Sequence, residues 1–294
     1  TTSAGTYIAY LFASDAGGFG DDEDENIIKC GSFTGIGQTN LGFEPQFLLY
    51  KPYTQTANWE LADNMRRLDG VSSSVLKLEP NSDAAEANGS EIKINATGFY
   101  NGTFGSSYPC IYIAIRRPMK TPTAGTEVFS PVARTGTGTT AAVTGVGFSP
   151  DLFIGNIRDT AGYWNGVVDR LRGIPKRLVS SQTEAENTQT VITSFDMDGL
   201  SLTSDGNGFA NENGKTYIEW LFKRATGFMD EVCYTGTGSG TTQAHNLGVV
   251  PELVLVKRRD SSGDWRVTTD FTNRGYLNDA AGFSTDPSFW NSGT

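Results

Sequence analysis

Histidine is nearly absent from this sequence: His245 is the only one among 294 residues, so any catalytic or metal-binding arrangement that needs two is excluded. Cysteine is scarce as well. Cys30, Cys110 and Cys233 are odd in number, irregular in spacing and without a CxxC pair, which argues against a zinc or redox motif and predicts buried free thiols. No apolar run approaches the length of a membrane span, the longest being short stretches such as Phe47-Leu48-Leu49-Tyr50 and Val249-Val250. The first residues lack the basic, then apolar, order of a secretory signal, and no membrane insertion is expected. Basic residues number 23 against 33 acidic ones, and the net charge of −10 repels a phosphate backbone, so no nucleic acid is expected as a partner. Long stretches of Ala, Leu, Glu and Lys are missing too, which disfavours helices.

What the chain does have is glycine, 35 residues of it, with abundant Thr and Ser, a composition of strands and turns. It also repeats itself. YIAYLF from Tyr7, YIAIRR from Tyr112 and YIEWLF from Tyr217 recur at a step of 105 residues. Gly42-Phe43-Glu44-Pro45, Gly147-Phe148-Ser149-Pro150 and Gly248-Val249-Val250-Pro251 each precede an apolar run. Trp59, Trp164 and Trp265 lie 14 residues after those prolines, and the step from tryptophan to the next repeated tyrosine is 53 residues in both cases where it can be measured. Constant spacing between such different side chains implies a constant three-dimensional frame.

Local patterns assign strands to that frame. The turns at Gly136-Thr137-Gly138 and Gly236-Thr237-Gly238 predict a hairpin opening each unit. Each proline then starts a strand that turns, as at Asp260-Ser261-Ser262-Gly263-Asp264, into a returning strand at the tryptophan. Asn88-Gly89 and Asp198-Gly199 read as turns into the last strands, and only Ser82 to Asn88 and Thr183 to Asn187 suggest a helical turn. The expected fold is all-β, a tandem array of antiparallel β-sandwich repeats of about 105 residues. The expected boundaries are 1–22 for the closing strand of a preceding unit, 23–126 for unit 1, 127–226 for unit 2 and 227–294 for an incomplete unit 3. Two readings of the ends stand side by side: the 294 residues are a segment of a longer polypeptide, or Tyr7 to Phe12 completes a third unit, in the same chain or a neighbouring copy, by strand addition, where donation between neighbours gives a homo-oligomer held by β-pairing between units.

The order of GSFTG, LGFEP, the tryptophan hairpin, DxxR, SDAAEAN, SFDMDGLSL and the closing YIEWLFK resembles tandem modules in virion proteins of marine tailed bacteriophages, and it covers nearly the whole chain. The resemblance implies a structural component of a bacteriophage virion: a tail fibre, spike or capsid appendage assembled in the host cytoplasm, with other virion proteins as partners and a host-surface glycan as a candidate for attachment. A carbohydrate-binding adhesin is the alternative and a polysaccharide hydrolase a more remote one.

No catalytic, cofactor-binding or metal-ligating residue is assigned, no cofactor is expected, and the chain is not read as an enzyme. G-x-S-x-G and HExxH are both missing. Trp59, Trp164 and Trp265 could stack sugars, but repetition favours core anchors. Asp63 with Arg66, Asp169 with Arg172, and Asp270 with Arg274 read as ion pairs of a turn. The acidic run from Asp21 to Glu25 lacks the spacing of a calcium loop and reads as solvated surface.

Overall fold

A computed structural model describes residues 5–20, 23–102, 108–205 and 208–286. The first unit contains β1 (Ile28–Phe33), β2 (Gly37–Asn40), β3 (Pro45–Pro52), β4 (Glu60–Asp63), β5 (Leu76–Lys77), β6 (Ala87–Asn88), β7 (Ile92–Asn95), β8 (Gly98–Asn101) and β9 (Cys110–Arg116). The second repeats them as β10 (Phe129–Thr135), β11 (Ala141–Val143), β12 (Leu152–Ile157), β13 (Gly166–Asp169), β14 (Lys176–Val179), β15 (Asn187–Thr188), β16 (Ile192–Asp196), β17 (Gly199–Leu202) and β18 (Thr216–Phe222). One short 3-10 turn, Gly125–Glu127, lies between them.

Every pairing is antiparallel and the two units share one topology. The larger sheet of unit 2 runs β10-β18-β12-β13-β14-β15, and that of unit 1 runs β1-β9-β3-β4 and continues through a Leu61–Leu78 bridge onto β5-β6. The smaller sheets are β2-β8-β7 and β11-β17-β16. Strands with a period of two bury one face, as in β12 and β18, and the two sheets close on each other over that face. Leu48, Tyr50 and Ala114 meet Ile92, Ile94 and Phe99 in unit 1; Phe153 and Leu221 meet Phe195, Leu200 and Leu202 in unit 2. Each fully buried aromatic or aliphatic side chain contributes about 1.5–3 kcal/mol.

The signature turn before each proline has one cause. Gly42, Gly147 and Gly248 have φ of 79°, 87° and 76°, a left-handed conformation that a side chain would strain. A second repeated glycine is steric. Gly98 and Gly199 open β8 and β17, and a Cβ there would lie 2.0 Å and 1.9 Å from the carbonyl oxygens of Thr39 and Val143. Thr97-Gly98 is therefore the counterpart of Asp198-Gly199, whereas Asn88 is in β6.

Strand register corrects the repeat itself. Phe47 pairs with Ile115 and the equivalent Leu152 with Phe222, so Cys110 corresponds to Tyr217 and Tyr112 to Glu219. The repeated tyrosines are two residues out of structural step. A two-residue slip leaves the same face inward, which is why the apolar pattern matched regardless. At one position of this frame the units use opposite chemistry: Phe33 and Tyr112 meet as rings 6.2 Å apart in unit 1, while Arg134 and Glu219 form a 2.6 Å ion pair in unit 2.

The tryptophan hairpin forms in all three copies, as β3–β4, β12–β13 and, in the third unit, β19 (Val254–Lys257) with β20 (Trp265–Thr268), followed by β21 (Asn273–Tyr276) and β22 (Ser284–Thr285). The opening hairpin does not. β10 pairs with β18 and β11 with β17, so Gly136-Thr137-Gly138 carries the chain from one sheet to the other, and Gly236-Thr237-Gly238 joins no strands. The expected helical turns at 82–88 and 183–187 are loops entering β6 and β15. Glu86 and Glu186, the residues that suggested helix, instead reach Arg66 and Arg172. Of the cysteines only Cys110 is fully buried; Cys233 is partly covered and Cys30 exposed, all as free thiols. Among the described residues Tyr7 to Phe12 lies in no sheet, so the structure does not show it completing the third unit within its own chain.

The three tryptophans are not equivalent. Tyr50 pairs with Glu60 and Gly155 with Gly166, which gives the unit 2 hairpin one extra residue. Trp59 and Trp265 therefore share a position, whereas Trp164 falls one residue short of it and is 46% exposed. Trp265 is buried against Val167 and Leu178 of unit 2 and donates its indole N–H to Val179 O at 2.7 Å. Trp59 is half-buried beside Lys51. The core-anchor reading thus holds for Trp265 and fails for Trp164. Trp265→Ala is expected to destabilise by about 3–5 kcal/mol and Trp164→Ala by about 0.5 kcal/mol or less, compared by urea unfolding; equal losses would contradict this placement.

Candidate functional site

The residues next to the sheet ends meet between the units. Glu44 precedes β3, Asp151 precedes β12, and Arg117 and Arg224 follow β9 and β18 at matching positions. Arg224 of unit 2 grips Glu44 of unit 1 with both terminal nitrogens, at 2.8 and 2.7 Å, and donates from Nε to Asp230 at 2.7 Å. In exchange Arg117 of unit 1 donates to Asp151 of unit 2 at 2.6 Å. Arg170 approaches Asp151 at 3.5 Å and is pinned by Ser149 Oγ and Pro150 O, both at 2.8 Å. Paired fork geometry makes such contacts strong and directional.

Burial opposes ionisation of Asp151, but Arg117, then Arg224 and Arg170, outweigh it and hold the carboxyl below its ordinary value. For Arg224 burial is likewise offset, by Glu44 and then Asp230, and its value rises well above the ordinary one. Glu231 is the exception. Both its carboxyl oxygens are buried without a hydrogen-bond partner, and burial, reinforced by Asp169, pushes it well above the usual carboxylate range. Around it the guanidiniums of Arg117, Arg170 and Arg224 meet the carboxylates of Glu44, Asp151 and Asp230.

A second ionic motif repeats. Arg66 bridges Asp63 and Glu86 at 2.6 and 3.3 Å, and Arg172 bridges Asp169 and Glu186. Arg259 of the third unit joins Glu186 at 2.8 Å and ties unit 3 to unit 2. The expected third pair is not formed. Asp270 accepts the backbone N–H groups of Asn273 and Thr272, which pull it down to about 2, and Arg274 turns to Asp286.

Between units 1 and 3 lies a groove of about 510 Å³ bordered by Tyr100, Lys93, Asn95, Tyr234 and Arg259. Tyr100 and Tyr234 are 37% and 49% exposed and border the groove together with the Asn95 amide and the Lys93 ammonium. Trp59, Trp164 and Trp265 differ in burial, half-buried, exposed and buried in turn, and offer no comparable row among the described residues. His245 is exposed and only accepts the Leu247 N–H, at 3.2 Å. Glu25 of the acidic run pairs with Arg116 at 2.6 Å, while Asp21 and Asp22 lie outside the described residues. Among the described residues no group of three His, Cys, Asp or Glu could hold a metal ion, and no helix is long and apolar enough to cross a membrane.

Sequence reasoning singled out the Asp and Arg residues after each tryptophan and found two of three pairs. It missed Glu44, Arg117, Asp151 and Arg224. The available signal was an arginine at the end of each closing strand, obscured by the two-residue slip of the tyrosine motif.

A family model described as a domain of unknown function (DUF7483) matches residues 1–107 and 124–294, and the chain belongs to that family. No curated protein matches, and no solved structure does.

Two outcomes test the junction. Arg224→Ala strands Glu44 and Asp230 in a buried site, and a loss of about 3–5 kcal/mol is expected in urea unfolding. Glu231 has its folded value raised, so its stabilising contribution is full below the unfolded value near ~4.3 and is lost as pH rises. Glu231→Gln should therefore match the parent at acid pH and exceed it increasingly above that value in thermal melts; a constant difference across pH would contradict the upward shift of Glu231.

Proposed function

We propose that this member of the DUF7483 family is a structural component of a bacteriophage virion, built as a rigid appendage, fibre or spike from repeated β-modules. The observation that carries the reading is the exchanged pair of salt bridges, Arg224–Glu44 and Arg117–Asp151, which joins two sandwiches through buried, directional contacts in place of a loose linker. Such a junction suits a load-bearing spacer whose loops face outward. The order of sequence motifs supports the same reading. On this reading the chain has no catalytic role and sits on the particle among other virion proteins after assembly in the host cytoplasm.

A second reading, carbohydrate binding at the host surface, is favoured by one feature, the groove bordered by Tyr100 and Tyr234. The readings are compatible, since an appendage can carry a receptor groove.

Gold-conjugated antibodies raised against the chain should decorate purified phage particles at one defined location by electron microscopy; particles that carry none of the protein by labelling and mass spectrometry would overturn the first reading. For the second, glycan-array binding should fall at least about tenfold, or about 1.4 kcal/mol, in Tyr100→Ala and Tyr234→Ala. Unchanged binding in both variants would dismiss the groove.

A further inference from the structure

Unit 3 holds unit 2 by a tryptophan seated on the outer face of a sheet, and unit 1 carries the same seat with no tryptophan in it among the described residues. Along β12 the side chains alternate, Phe153 entering the core while Leu152 and Ile154 face outward. Those two, with Val167 of β13 and Leu178 of β14, receive Trp265. Polar contacts flank the ring: its Nε1 donates to Val179 O, Gly263 N donates to Thr183 O at 2.8 Å, and Lys257 Nζ donates to the same oxygen at 3.1 Å.

Strand register finds each of these positions in unit 1. Phe47 and Leu49 match Leu152 and Ile154, because they pair with equivalent residues of β9 and β18. Leu61, opposite Leu49, matches Val167, opposite Ile154; Leu78, bridged to Leu61, matches Leu178. Asp83 stands where unit 2 has Thr183. Both seats are apolar, but they differ in cover: Val167 and Leu178 are 7% and 4% exposed, whereas Leu61 is half-buried and Leu78 is 39% exposed.

The cause of that difference lies inside the chain. By the example of units 2 and 3, a unit is covered by the tryptophan hairpin of the next one, which for unit 1 is β12–β13. That hairpin has the extra residue, its Trp164 is turned outward, and unit 2 is fixed to unit 1 through Arg224–Glu44 and Arg117–Asp151 instead. Trp265 is already committed to unit 2. The remaining hairpin, β3–β4, has the same length as β19–β20, so Lys51, Tyr53 and Trp59 hold the places of Lys257, Arg259 and Trp265. Trp59 is only half-buried and Tyr53 is 56% exposed. We propose that unit 1 of a second copy covers this face, its Trp59 entering the seat of Leu61 and Leu78 as Trp265 enters that of Val167 and Leu178.

Hairpin and seat belong to one face of one sheet, so two copies cover each other reciprocally and the contact closes as a dimer. Lys51 then reaches the Asp83 loop as Lys257 reaches Thr183, and Asp83 adds a carboxylate to the carbonyl that unit 2 offers there. Tryptophan and tyrosine set among aliphatic side chains form the kind of centre that protein–protein contacts use. The inference stands apart from the virion reading, since it concerns the chain alone.

Sedimentation velocity over a roughly hundredfold dilution series should show a reversible monomer–dimer equilibrium of the parent chain. Leu78→Glu and Trp59→Lys, each placing a charge in the contact, should separately weaken dimerisation at least about tenfold. Circular dichroism of the two variants should match that of the parent diluted to monomer. Mixing them should restore a dimer, because the new lysine of one copy meets the new glutamate of the other while the second seat keeps its native Trp59 and Leu78. A parent that is monomeric at every concentration overturns the proposal. Dimerisation that survives Leu78→Glu also overturns it, by assigning the contact to another surface. Variants that are folded and monomeric singly, and remain monomeric when mixed, overturn the pairing of Trp59 with Leu78.

Discussion

The joint between units 1 and 2 centres on the guanidinium of Arg224, buried among carboxylates from both sides of the junction. It follows β18 of unit 2, grips a carboxylate of unit 1 and donates to Asp230 in the segment leading into unit 3. Burying charges is unfavourable unless every partner is present, so the contact forms completely or not at all. The reciprocal bond from Arg117 to Asp151 gives it a second point of attachment, and two points fix an orientation where one would permit rotation. The sandwiches themselves need no such device. Their cores are mainly apolar, and the same nine-strand path closes twice with different side chains.

That tolerance is visible where Phe33 and Tyr112 are exchanged for Arg134 and Glu219. A pair of rings and an ion pair fill the same space between strands, and each is self-sufficient. Mixing one member of each would leave a buried charge alone, so the two positions change together or stay. The Asp63–Arg66–Glu86 motif and its copy at Asp169–Arg172–Glu186 show the opposite behaviour: the turn after the tryptophan hairpin keeps its chemistry, and Arg66 and Arg172 each tie it to the loop that enters β6 or β15.

Much of the fold was legible because period-two patterning survives local errors. Glycines with positive φ, prolines opening strands and alternating apolar residues identified an all-β repeat and its tryptophan hairpin without any exact alignment. What stayed hidden depended on contacts between units, which no local pattern encodes. Glu44 and Asp151 look like ordinary acidic residues beside a proline, and Arg117 and Arg224 like charged ends of apolar strands. The groove at Tyr100 and Tyr234 joins residues from modules far apart in sequence. Trp265 kept its role as anchor but in an unexpected place, on the outer face of a neighbouring unit's sheet.

The extra residue in the β12–β13 hairpin has a consequence for how such modules diversify. A strand has two sides, so an odd insertion reverses the parity of whatever lies at the loop's mouth, and an even one restores it. Trp164 is the product of an odd insertion: an indole that serves as a buried peg elsewhere in the array is turned to face the surroundings, while both sheets keep their pairing. Surface chemistry here can be rewritten one residue at a time, at the hairpin tips, without touching the interior that holds each sandwich closed.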